Sequence, residues 1–441
     1  MSGVTIALLL FGCMLLLMAI RVPIAMAMMV PGIVGYVAIS GWPSLLNALK
    51  GLAFARLANY DLTVIPLFLL MGAFASQGGL SRSLFLAGNA VVGHFRGGLA
   101  MAAVLACAAF GSICGSSVAT AATMAKVALP EMRAMNYSGR LSTGALAAGG
   151  TLGIMIPPSV ILVLYAILAE QNIAKLFAAA LIPGLIATVG YCIAIAVYVR
   201  FRPAEGPASA RHTRAELLVA MKNVWPVAAI FLFVFGGIYT GWFTPTEAAA
   251  IGAAATFIVA IARGELNLAG IKTCFYETAM TSGMIFMLFL GADILNSTLA
   301  LSQFPAALSG IIENSGLSPL VVIAGILLFY VVLGCVMDEI SMILLTLPIF
   351  LPTVAGLEIF GLNPSDKIIW FGILVLMVVE IGLIMPPVGL NVYVINALAR
   401  DIPIRDTYIG VMPFIVSDFI RTALLLAFPA LSLWLVKVLV P

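Results

Sequence analysis

Two short stretches of small, oxygen-bearing residues interrupt long apolar runs in the first half of the chain. The first, at 110–120, reads F-G-S-I-C-G-S-S-V-A-T, and the second, at 153–162, reads G-I-M-I-P-P-S-V-I-L. In hydrocarbon every backbone N–H and C=O needs a partner, so irregular backbone survives only where it is buried in protein or lines a wet cavity. Carbonyl and hydroxyl oxygens around an unwound turn can replace the water shell of a small cation such as Na⁺. The two stretches therefore predict a cation site at membrane depth.

A second pair of such stretches lies in the other half of the chain, at 334–338 (G-C-V-M-D) and 385–391 (M-P-P-V-G-L-N). Each pair offers backbone carbonyls or side-chain oxygens at a break in an apolar segment. The candidate cation-binding residues are Gly111, Ser112, Ser116, Ser117, Thr120, Gly150, Gly153, Pro157, Gly334, Met337, Asp338, Gly382, Pro386 and Gly389. For any one of them the alternative stays open that a small residue merely lets membrane helices pack closely.

Charged residues at membrane depth are functional candidates by default. The pair Asp338-Glu339 has no acidic counterpart at Ser116-Ser117, so the two half-sites are not equivalent. Asp418 and Arg421 have helical spacing and are expected to form a structural pair within one helix. Further charged candidates are Lys126, Glu131, Asp293 and Glu380.

The composition defines the kind of protein that must position these residues. The chain has 441 residues, of which 63% are hydrophobic and only 9% charged, and its mean hydropathy is +1.18. Soluble domains carry about 25% charged residues, and a β-barrel would alternate apolar and polar residues. The chain is therefore expected to be an all-α polytopic membrane protein. Its first apolar run, at 4–20, is interpreted as a retained span because it lacks the flanks of a signal peptide.

Several other kinds of site are disfavoured. The six cysteines lie in apolar segments without C-x-x-C spacing, and His94 and His212 are far apart, so neither a disulfide framework nor a His-based metal cluster is expected. The sequence contains no G-x-x-x-x-G-K-[ST] motif and thus no nucleotide-driven motor of its own. We expect no cofactor apart from the small cation bound at the breaks.

Taking about 20 residues per span, the hydrophobic pattern predicts ten full crossings. They lie near 4–20, 23–41, 62–80, 141–170, 172–199, 224–242, 245–262, 276–297, 367–398 and 407–436. Apolar stretches at about 99–133 and 317–355 are too long for one span and polar at their middle, which predicts re-entrant hairpins. Mixed polarity places 42–58, 83–96 and 300–314 along the interface.

Basic residues in the loops indicate the orientation. Only Lys50, Arg56, Lys175, Lys367 and Lys437 fall on one predicted side. The larger set on the other side is Arg21, Arg82, Arg96, Arg133, Arg140, Arg200, Arg202, Arg211, Arg214, Lys222, Arg263, Lys272, Arg400 and Arg405. By the positive-inside rule the larger set is cytoplasmic and both termini are periplasmic.

The two halves of the sequence repeat each other. Gly111 matches Gly334 at an offset of 223, Leu129-Pro130 matches Leu351-Pro352 at 222, and I-M-I-P-P at 154–158 matches L-I-M-P-P at 383–387. Each half has five crossings and one hairpin, an odd number, so the second half must be inverted. The predicted organisation is a first repeat at 1–199, with its broken helix at about 141–170, a cytoplasmic connector at 200–223, and a second repeat at 224–441, with its broken helix at about 367–398. Inverted repeats with discontinuous helices are typical of secondary transporters.

At these residues the sequence resembles the large, dicarboxylate-type membrane subunit of tripartite ATP-independent periplasmic (TRAP) transporters. The segments that carry the resemblance are 62–72, G-S-S-V-A-T-A-A at 115–122, L-P-E-M at 129–132, 153–159, 334–338, 347–352 and 385–391. They span nearly the whole chain.

The resemblance implies a tripartite system in a bacterial inner membrane. A periplasmic binding protein captures an organic acid such as a C4-dicarboxylate or sialic acid, a small four-helix membrane subunit partners the large one, and Na⁺ drives uptake by an elevator motion. The small subunit is not expected to be fused to this chain. The substrate-binding candidates are then Ser116, Pro158, Ser159, Asp338, Pro387 and Asn391. Bilayer lipids are the other expected partner, and nucleic acid is not.

Three alternatives stay open from the residues alone. One is another cation- or proton-coupled anion transporter that needs no binding protein. A channel would want a continuous polar pore, which two inverted halves with hairpins do not provide. A membrane enzyme would want clustered histidines and carboxylates, which the sequence lacks.

Overall fold

The computed structural model describes residues 3–440, and within that range it contains helices and no β-strand. The first half comprises α1 (Gly3–Ala19), α2 (Ile24–Ser40), α3 (Trp42–Leu57), α4 (Val64–Gln77), α5 (Leu80–Val92), α6 (Gly98–Cys114), α7 (Ser117–Ala134), α8 (Gly139–Met155), α9 (Val160–Leu168) and α10 (Ile173–Phe201). The second half comprises α11 (Arg214–Tyr239), α12 (Pro245–Ala262), α13 (Leu268–Leu301), α14 (Phe304–Glu313), α15 (Pro319–Gly334), α16 (Glu339–Gly356), α17 (Pro364–Ile384), α18 (Leu390–Leu398), α19 (Ile404–Ala427) and α20 (Ala430–Leu439). Short 3₁₀ helices lie at Tyr60–Thr63 and Pro203–Glu205.

The all-α polytopic class predicted from the sequence is confirmed. Eight of the described helices are long and apolar enough to cross a membrane, or nine if the bent pair α8–α9 counts as one span. The order of elements in the first half returns in the second, from α1 and α11 at the start to α10 and α19 near the end. Helix α2 packs on α13, and α12 packs on α4. Because α12 is the counterpart of α2, and α13 that of α3 and α4, these two contacts are equivalent under the repeat.

Both halves contain a helical hairpin followed by an interrupted helix. Helices α6 and α7 are joined by Gly115 and Ser116, and Gly115 has a φ of +65°, which favours glycine. Helices α15 and α16 form the second hairpin, joined by 335–338. The axis of α8 bends by 43° into α9, and α17 is separated from α18 by 385–389. The bonds Pro157-Pro158 and Pro386-Pro387 are both cis.

Two expected spans differ in the structure. The span expected at 276–297 is part of a 34-residue helix, α13, whose counterpart in the first half is divided into α3 and α4. The first half is divided because Asn59 accepts a hydrogen bond from the N–H of Asp61 (2.9 Å) and starts a 3₁₀ turn. The single span expected at 407–436 is two helices, because Pro429 lacks an N–H and restricts Phe428 before it.

Candidate functional site

The tips of the two hairpins contact each other. Ser117 donates a hydrogen bond to Glu339 Oε1 at 3.2 Å, and both side chains are buried. These residues are 222 positions apart, the offset of the sequence repeat, and each is the first residue of the second arm of its hairpin. A contact between equivalent positions occurs where a pseudo-two-fold axis passes through the molecule. The two tips therefore meet on that axis.

Each tip also caps its second arm. Ser116 accepts from the N–H of Ala119 at 3.4 Å at the start of α7, and Asp338 accepts from the N–H of Ser341 at 3.1 Å at the start of α16. The amino end of a helix carries partial positive charge, and a side-chain oxygen there satisfies a free N–H. The caps hold oxygen atoms of two predicted site residues beside the tip-to-tip contact.

Glycines let each hairpin cross its interrupted helix closely. A Cβ at Gly111 on α6 would lie 2.6 Å from the Cα of Gly153 on α8, and one at Gly382 on α17 would lie 2.7 Å from the Cα of Gly334 on α15. Real Cβ atoms do not approach that closely, so any larger residue would force the backbones apart. The predicted residues Gly111, Gly153, Gly334 and Gly382 thus form two equivalent crossings.

Several buried oxygen atoms around the tips have no hydrogen-bond partner among the described residues. They are Thr120 Oγ1, Glu339 Oε2, Ser341 Oγ and Asn391 Oδ1. Buried polar atoms are normally satisfied, so each exception needs an explanation such as a bound ion or water. Hydroxyl, carboxylate and amide oxygens are the ligands that hard cations prefer. The donor set at the tips fits a small hard cation.

The second interrupted helix reaches across to the first. Asn391 on α18 donates from Nδ2 to the carbonyl oxygen of Ala147 on α8 at 3.2 Å. The same amide lies near Gly150, where an added Cβ would be 3.1 Å from Asn391 Nδ2. Gly150 is a predicted cation-binding residue in the first half, and Asn391 is a predicted substrate-binding residue in the second half. The structure places them side by side.

The two helix breaks differ in exposure. Pro157, Pro158 and Ser159 are buried, and Ser159 caps α9 by accepting from the N–H of Leu162 at 3.3 Å. Pro386 and Pro387 are exposed, while Gly389 behind them is buried with a φ of +62°. The first break is therefore covered and the second is open to the surroundings.

A partly polar cavity of about 280 Å³ opens beside the first tip. It is lined by residues of α4, α7 and α13, together with Cys114 and Ser116 at the tip itself. The hydroxyls of Ser76 on α4 and Thr123 on α7 are 2.9 Å apart at its edge. Two exposed side chains of opposite charge, Lys126 and Glu277, also line it.

The second hairpin makes an equivalent contact with α13. Asn296 on α13 donates from Nδ2 to the carbonyl oxygen of Leu344 on α16 at 3.0 Å. It corresponds to the contact of Ser76 with Thr123, which joins α4 to the first hairpin.

The remaining predicted site residues have ordinary roles in the structure. Ser112 donates to the carbonyl oxygen of Ala109 at 2.7 Å, and Met337 is buried in the second tip. Glu339 is the central residue that the predicted set omitted, although the offset of 222 from Ser117 could have identified it. Within residues 3–440 no group of three or more His, Cys, Asp or Glu side chains could hold a metal ion together.

The other charged candidates lie away from the tips. Asp293 pairs with Arg56 at 2.5 Å between α13 and α3. The expected pair within α19 is present, with Asp418 Oδ1 and Arg421 Nη2 2.9 Å apart, and the same Nη2 is 2.7 Å from Glu380 Oε2 on α17. These three side chains are buried.

Comparisons with known proteins agree on one family. A family model described as "Tripartite ATP-independent periplasmic transporter, DctM component" matches residues 11–431. The C4-dicarboxylate TRAP transporter large permease protein DctM of Pseudomonas aeruginosa is 35% identical over 393 residues, covering 89% of this chain and 90% of that protein. The sialic acid TRAP transporter large permease protein SiaM of Vibrio cholerae is 29% identical over 380 residues, covering 86% of each.

A fused relative and a solved structure extend the comparison. The isethionate TRAP transporter permease protein DctMQ of Oleidesulfovibrio alaskensis is 29% identical over 392 residues, covering 89% of this chain and 60% of that protein. The crystal structure of the YdaH transporter of Alcanivorax borkumensis superposes with a TM-score of 0.61 at 13% identity, covering 88% of this chain and 89% of that one. At that identity the likeness is one of fold alone.

Proposed function

Since this chain belongs to the DctM family of tripartite ATP-independent periplasmic transporters, we propose that it carries an organic acid into the cell in symport with Na⁺. Family membership makes it the large membrane component of a secondary transporter and not an enzyme. The proposal adds the ion, the direction, the bacterial inner membrane with both termini periplasmic, and the mechanism. The observation that carries it is the meeting of two capped hairpin tips, Ser117 against Glu339, among buried oxygens without partners.

The tips supply what a small cation needs. Na⁺ must exchange its water shell for protein oxygens. The free oxygens of Thr120 and Ser341 lie in the first turns of α7 and α16, which begin at the tips, and that of Asn391 lies on α18, which packs on α7. Glu339 adds negative charge at the same place. A bound cation would then offset that charge and favour an anionic substrate beside it.

The substrate is proposed to be a carboxylate-bearing acid, a C4-dicarboxylate or a sugar acid. Relatives are named for C4-dicarboxylate, sialic acid and isethionate, all of them organic anions. In this chain an anion near Ser116 would lie at the amino end of α7, whose partial positive charge attracts it. Lys126 lines the adjoining cavity and adds a positive charge there, opposite the negative charge of Glu277.

The partners are proposed to be a small membrane subunit and a periplasmic binding protein. The fused relative, named DctMQ, is consistent with a second membrane component acting beside the large one. We expect uptake by proteoliposomes to need all three proteins and an inward Na⁺ gradient. Full uptake by the 441-residue chain alone would contradict the tripartite proposal, and equal uptake when choline replaces Na⁺ would contradict the coupling.

An elevator motion is proposed for the transport step. The mobile part would be residues 99–199 and 317–436, which contain both hairpins and both breaks, and the rest would be a scaffold. Two cavities on the proposed boundary support this division: the partly polar one between α4, α13 and the first hairpin, and an apolar one of about 650 Å³ lined by residues of α1, α14, α15 and α16. If the halves exchanged these arrangements, the site would open to the other side.

A cross-linking experiment tests the motion. In a background without the native cysteines, Ser76→Cys with Thr123→Cys joins the proposed scaffold to the first hairpin where their hydroxyls are 2.9 Å apart. We expect the cross-link to form and to block transport. The matched control, Arg133→Cys with Asp401→Cys, replaces a salt bridge inside the mobile part and should cross-link without blocking. Transport that continues with the first pair locked would rule out the elevator assignment.

A further inference from the structure

A cluster of three charged side chains lies in the transmembrane region away from the hairpin tips. Arg421 on α19 contacts Asp418 on the same helix and Glu380 on α17, at 2.9 Å and 2.7 Å. The relative exposures of Glu380, Asp418 and Arg421 are 0%, 0% and 4%. Neither the cation proposal nor the substrate proposal uses these residues.

Neutral hydroxyls extend the cluster into the first half. Tyr191 on α10 donates to Asp418 Oδ2 at 2.8 Å, and the hydroxyl of Thr151 on α8 is 3.2 Å from that of Tyr191. In the described chain, the charged groups that act on Glu380 are Arg421 and Asp418 from α19, and Tyr191 faces the same group from α10. Helices α9, α15, α16, α18 and α20, which also pack near α17, bring no other charged group to Glu380 within residues 3–440.

The charges of the cluster do not balance. One guanidinium faces two carboxyl groups, so full ionisation would leave one net negative charge in the membrane interior. A buried charge without a partner is strongly unfavourable, and the usual remedy is that the group takes up a proton.

The contacts show which carboxyl group is better suited to be ionised. Both oxygens of Asp418 have a contact: Oδ2 accepts a hydrogen bond from the Tyr191 hydroxyl, and Oδ1 lies 2.9 Å from Arg421 Nη2 in an ion-pair contact without hydrogen-bond geometry. Glu380 has a donor only at Oε2, while its Oε1 is buried and has no partner in the described chain. A second carboxylate charge would therefore be least stabilised on Glu380.

We propose that Glu380 is a proton-binding site, occupied at neutral pH, which makes the buried cluster with Asp418 and Arg421 electrically neutral. The bound proton keeps the packing of α17 against α19 free of an uncompensated charge. In the unfolded chain this carboxyl group already loses its proton in mild acid, so the contribution of the cluster to stability is fully present only below that pH. It falls as the pH rises and levels off once the buried group has lost its proton as well. The proposal does not depend on the transported acid or on Na⁺ coupling.

The charge count can be tested by substitution. Glu380→Gln mimics the protonated acid and leaves Asp418 to pair with Arg421. Asp418→Asn leaves Glu380 as the sole, ionised partner of Arg421. In each variant one acid faces one guanidinium, so the cluster is neutral without a bound proton. We expect both to melt within a few degrees of the wild type at neutral pH and to lose the part of the decrease with rising pH that the cluster causes. The double variant leaves Arg421 unpaired and should melt about 5 °C lower or more at every pH. The measurement is thermal melting of the full chain in nanodiscs from about pH 4 to about pH 10.

Infrared spectroscopy gives a second readout that needs no unfolding. The wild type at neutral pH should show the carbonyl stretch of a protonated carboxyl group, which Glu380→Gln should remove and the control Glu131→Gln should retain. The proposal is overturned if that band is unchanged in Glu380→Gln, or if the wild-type decrease with rising pH persists there in full. It is also overturned if Na⁺, compared with choline, restores alkaline stability through Glu380, because the site would then bind Na⁺ and not a proton.

Discussion

The two halves of the molecule place their polar side chains at equivalent positions and give them different chemistry. Ser117 matches Glu339 and Ser116 matches Asp338, both at an offset of 222. In the buried cluster, Tyr191 matches Asp418 at 227, and Thr151 matches Glu380 (380 − 151 = 229). At all four positions the first half has a neutral hydroxyl and the second half has an acid.

Like charges near a two-fold axis explain why only one half carries the acids. Equivalent residues at the axis lie against each other, as Ser117 and Glu339 do at 3.2 Å. Two carboxylates there would repel each other in a buried site, and one would have to stay protonated. A hydroxyl facing a carboxylate instead forms a hydrogen bond. The repeated backbone thus sets the positions, and the charge can occupy only one member of each facing pair.

Placing an acid in the first half is the strongest way to break this division. Ser117→Glu would put a second carboxyl group beside Glu339, and we expect it to lower the free energy of unfolding by about 3 kcal/mol or more. Thermal melting and uptake would both report the loss.

The charge effect is separated from the size effect by two further variants. Ser117→Gln has nearly the same volume without the charge and should be clearly less harmful. The exchange Ser117→Glu with Glu339→Ser moves the acid to the first half and should recover part of the stability. If the exchange were no better than Ser117→Glu alone, the pairing rule across the axis would be wrong.

The glycine crossings test the part that the two halves share. Gly111→Ala and Gly382→Ala would each place a Cβ under 3.0 Å from the facing backbone, so both should lower stability by about 1–3 kcal/mol and reduce transport. Gly325→Ala on α15 is the control, because an added Cβ there meets nothing within 4 Å. A tolerated Gly382→Ala beside a harmful Gly111→Ala would show that the halves are packed differently.

Much of this architecture was predictable because its signals lie along the chain. The interruptions at 110–120 and 334–338 break apolar runs with Gly, Ser or Asp, and Pro157-Pro158 and Pro386-Pro387 stop helices by their own chemistry. The predicted span begins at 276, whereas helix α13 begins at Leu268. Lys272 and Glu277 lower the hydropathy of the first turns of α13, although the backbone there is helical. Hydropathy therefore locates the apolar part of a helix and not the residues at which the helix begins and ends.

The site was less predictable because its contacts cross the repeat. The offset identifies which residues are equivalent, but it does not say which equivalent pair lies on the axis, so Glu339 was omitted from the predicted set. The contact of Asn391 with Ala147 likewise depends on how α18 lies against α8, which no spacing in either segment reports.

The two caps provide a sharper comparison at the tips. Asp338→Asn keeps the cap of α16, since Asn caps about as well as Asp, but it removes a charge beside the proposed cation. We expect stability close to the wild type and a Na⁺ concentration for half-maximal uptake about tenfold higher. Ser116→Ala should instead cost about 0.5 kcal/mol of stability through the lost cap, with a smaller change in Na⁺ response. An unchanged Na⁺ response in Asp338→Asn would remove the carboxylate from the ion site.

The smallest expected effect concerns a contact that only the first half makes. Burial raises the pKa of Glu205 in the connector, but hydrogen bonds from Tyr198, Ser138 and Arg202 more than offset this and hold the pKa below its ordinary value. Its contribution is present at neutral pH and is lost as the pH falls through the range where the carboxyl group protonates. Glu205→Gln should lower stability at neutral pH by less than about 1 kcal/mol, because the group is partly screened by solvent.

Melting curves taken from neutral to acidic pH would measure this contribution. The loss of stability on acidification should be shallower in Glu205→Gln than in the wild type. A variant that follows the wild-type curve throughout would show that the connector contributes nothing to the first half through this carboxyl group.

The pair within α19 has a consequence for how the chain enters the membrane during synthesis. On insertion scales a single charged residue at the centre of a helix costs about 2.5–3.5 kcal/mol. Asp418 and Arg421 lie one turn apart and 2.9 Å from each other, so they can neutralise one another within the helix that carries them. Helix α17 emerges from the ribosome earlier, with Glu380 and no cationic partner yet made. The order of synthesis therefore favours entry of Glu380 as a neutral acid, which meets its guanidinium only when α19 arrives.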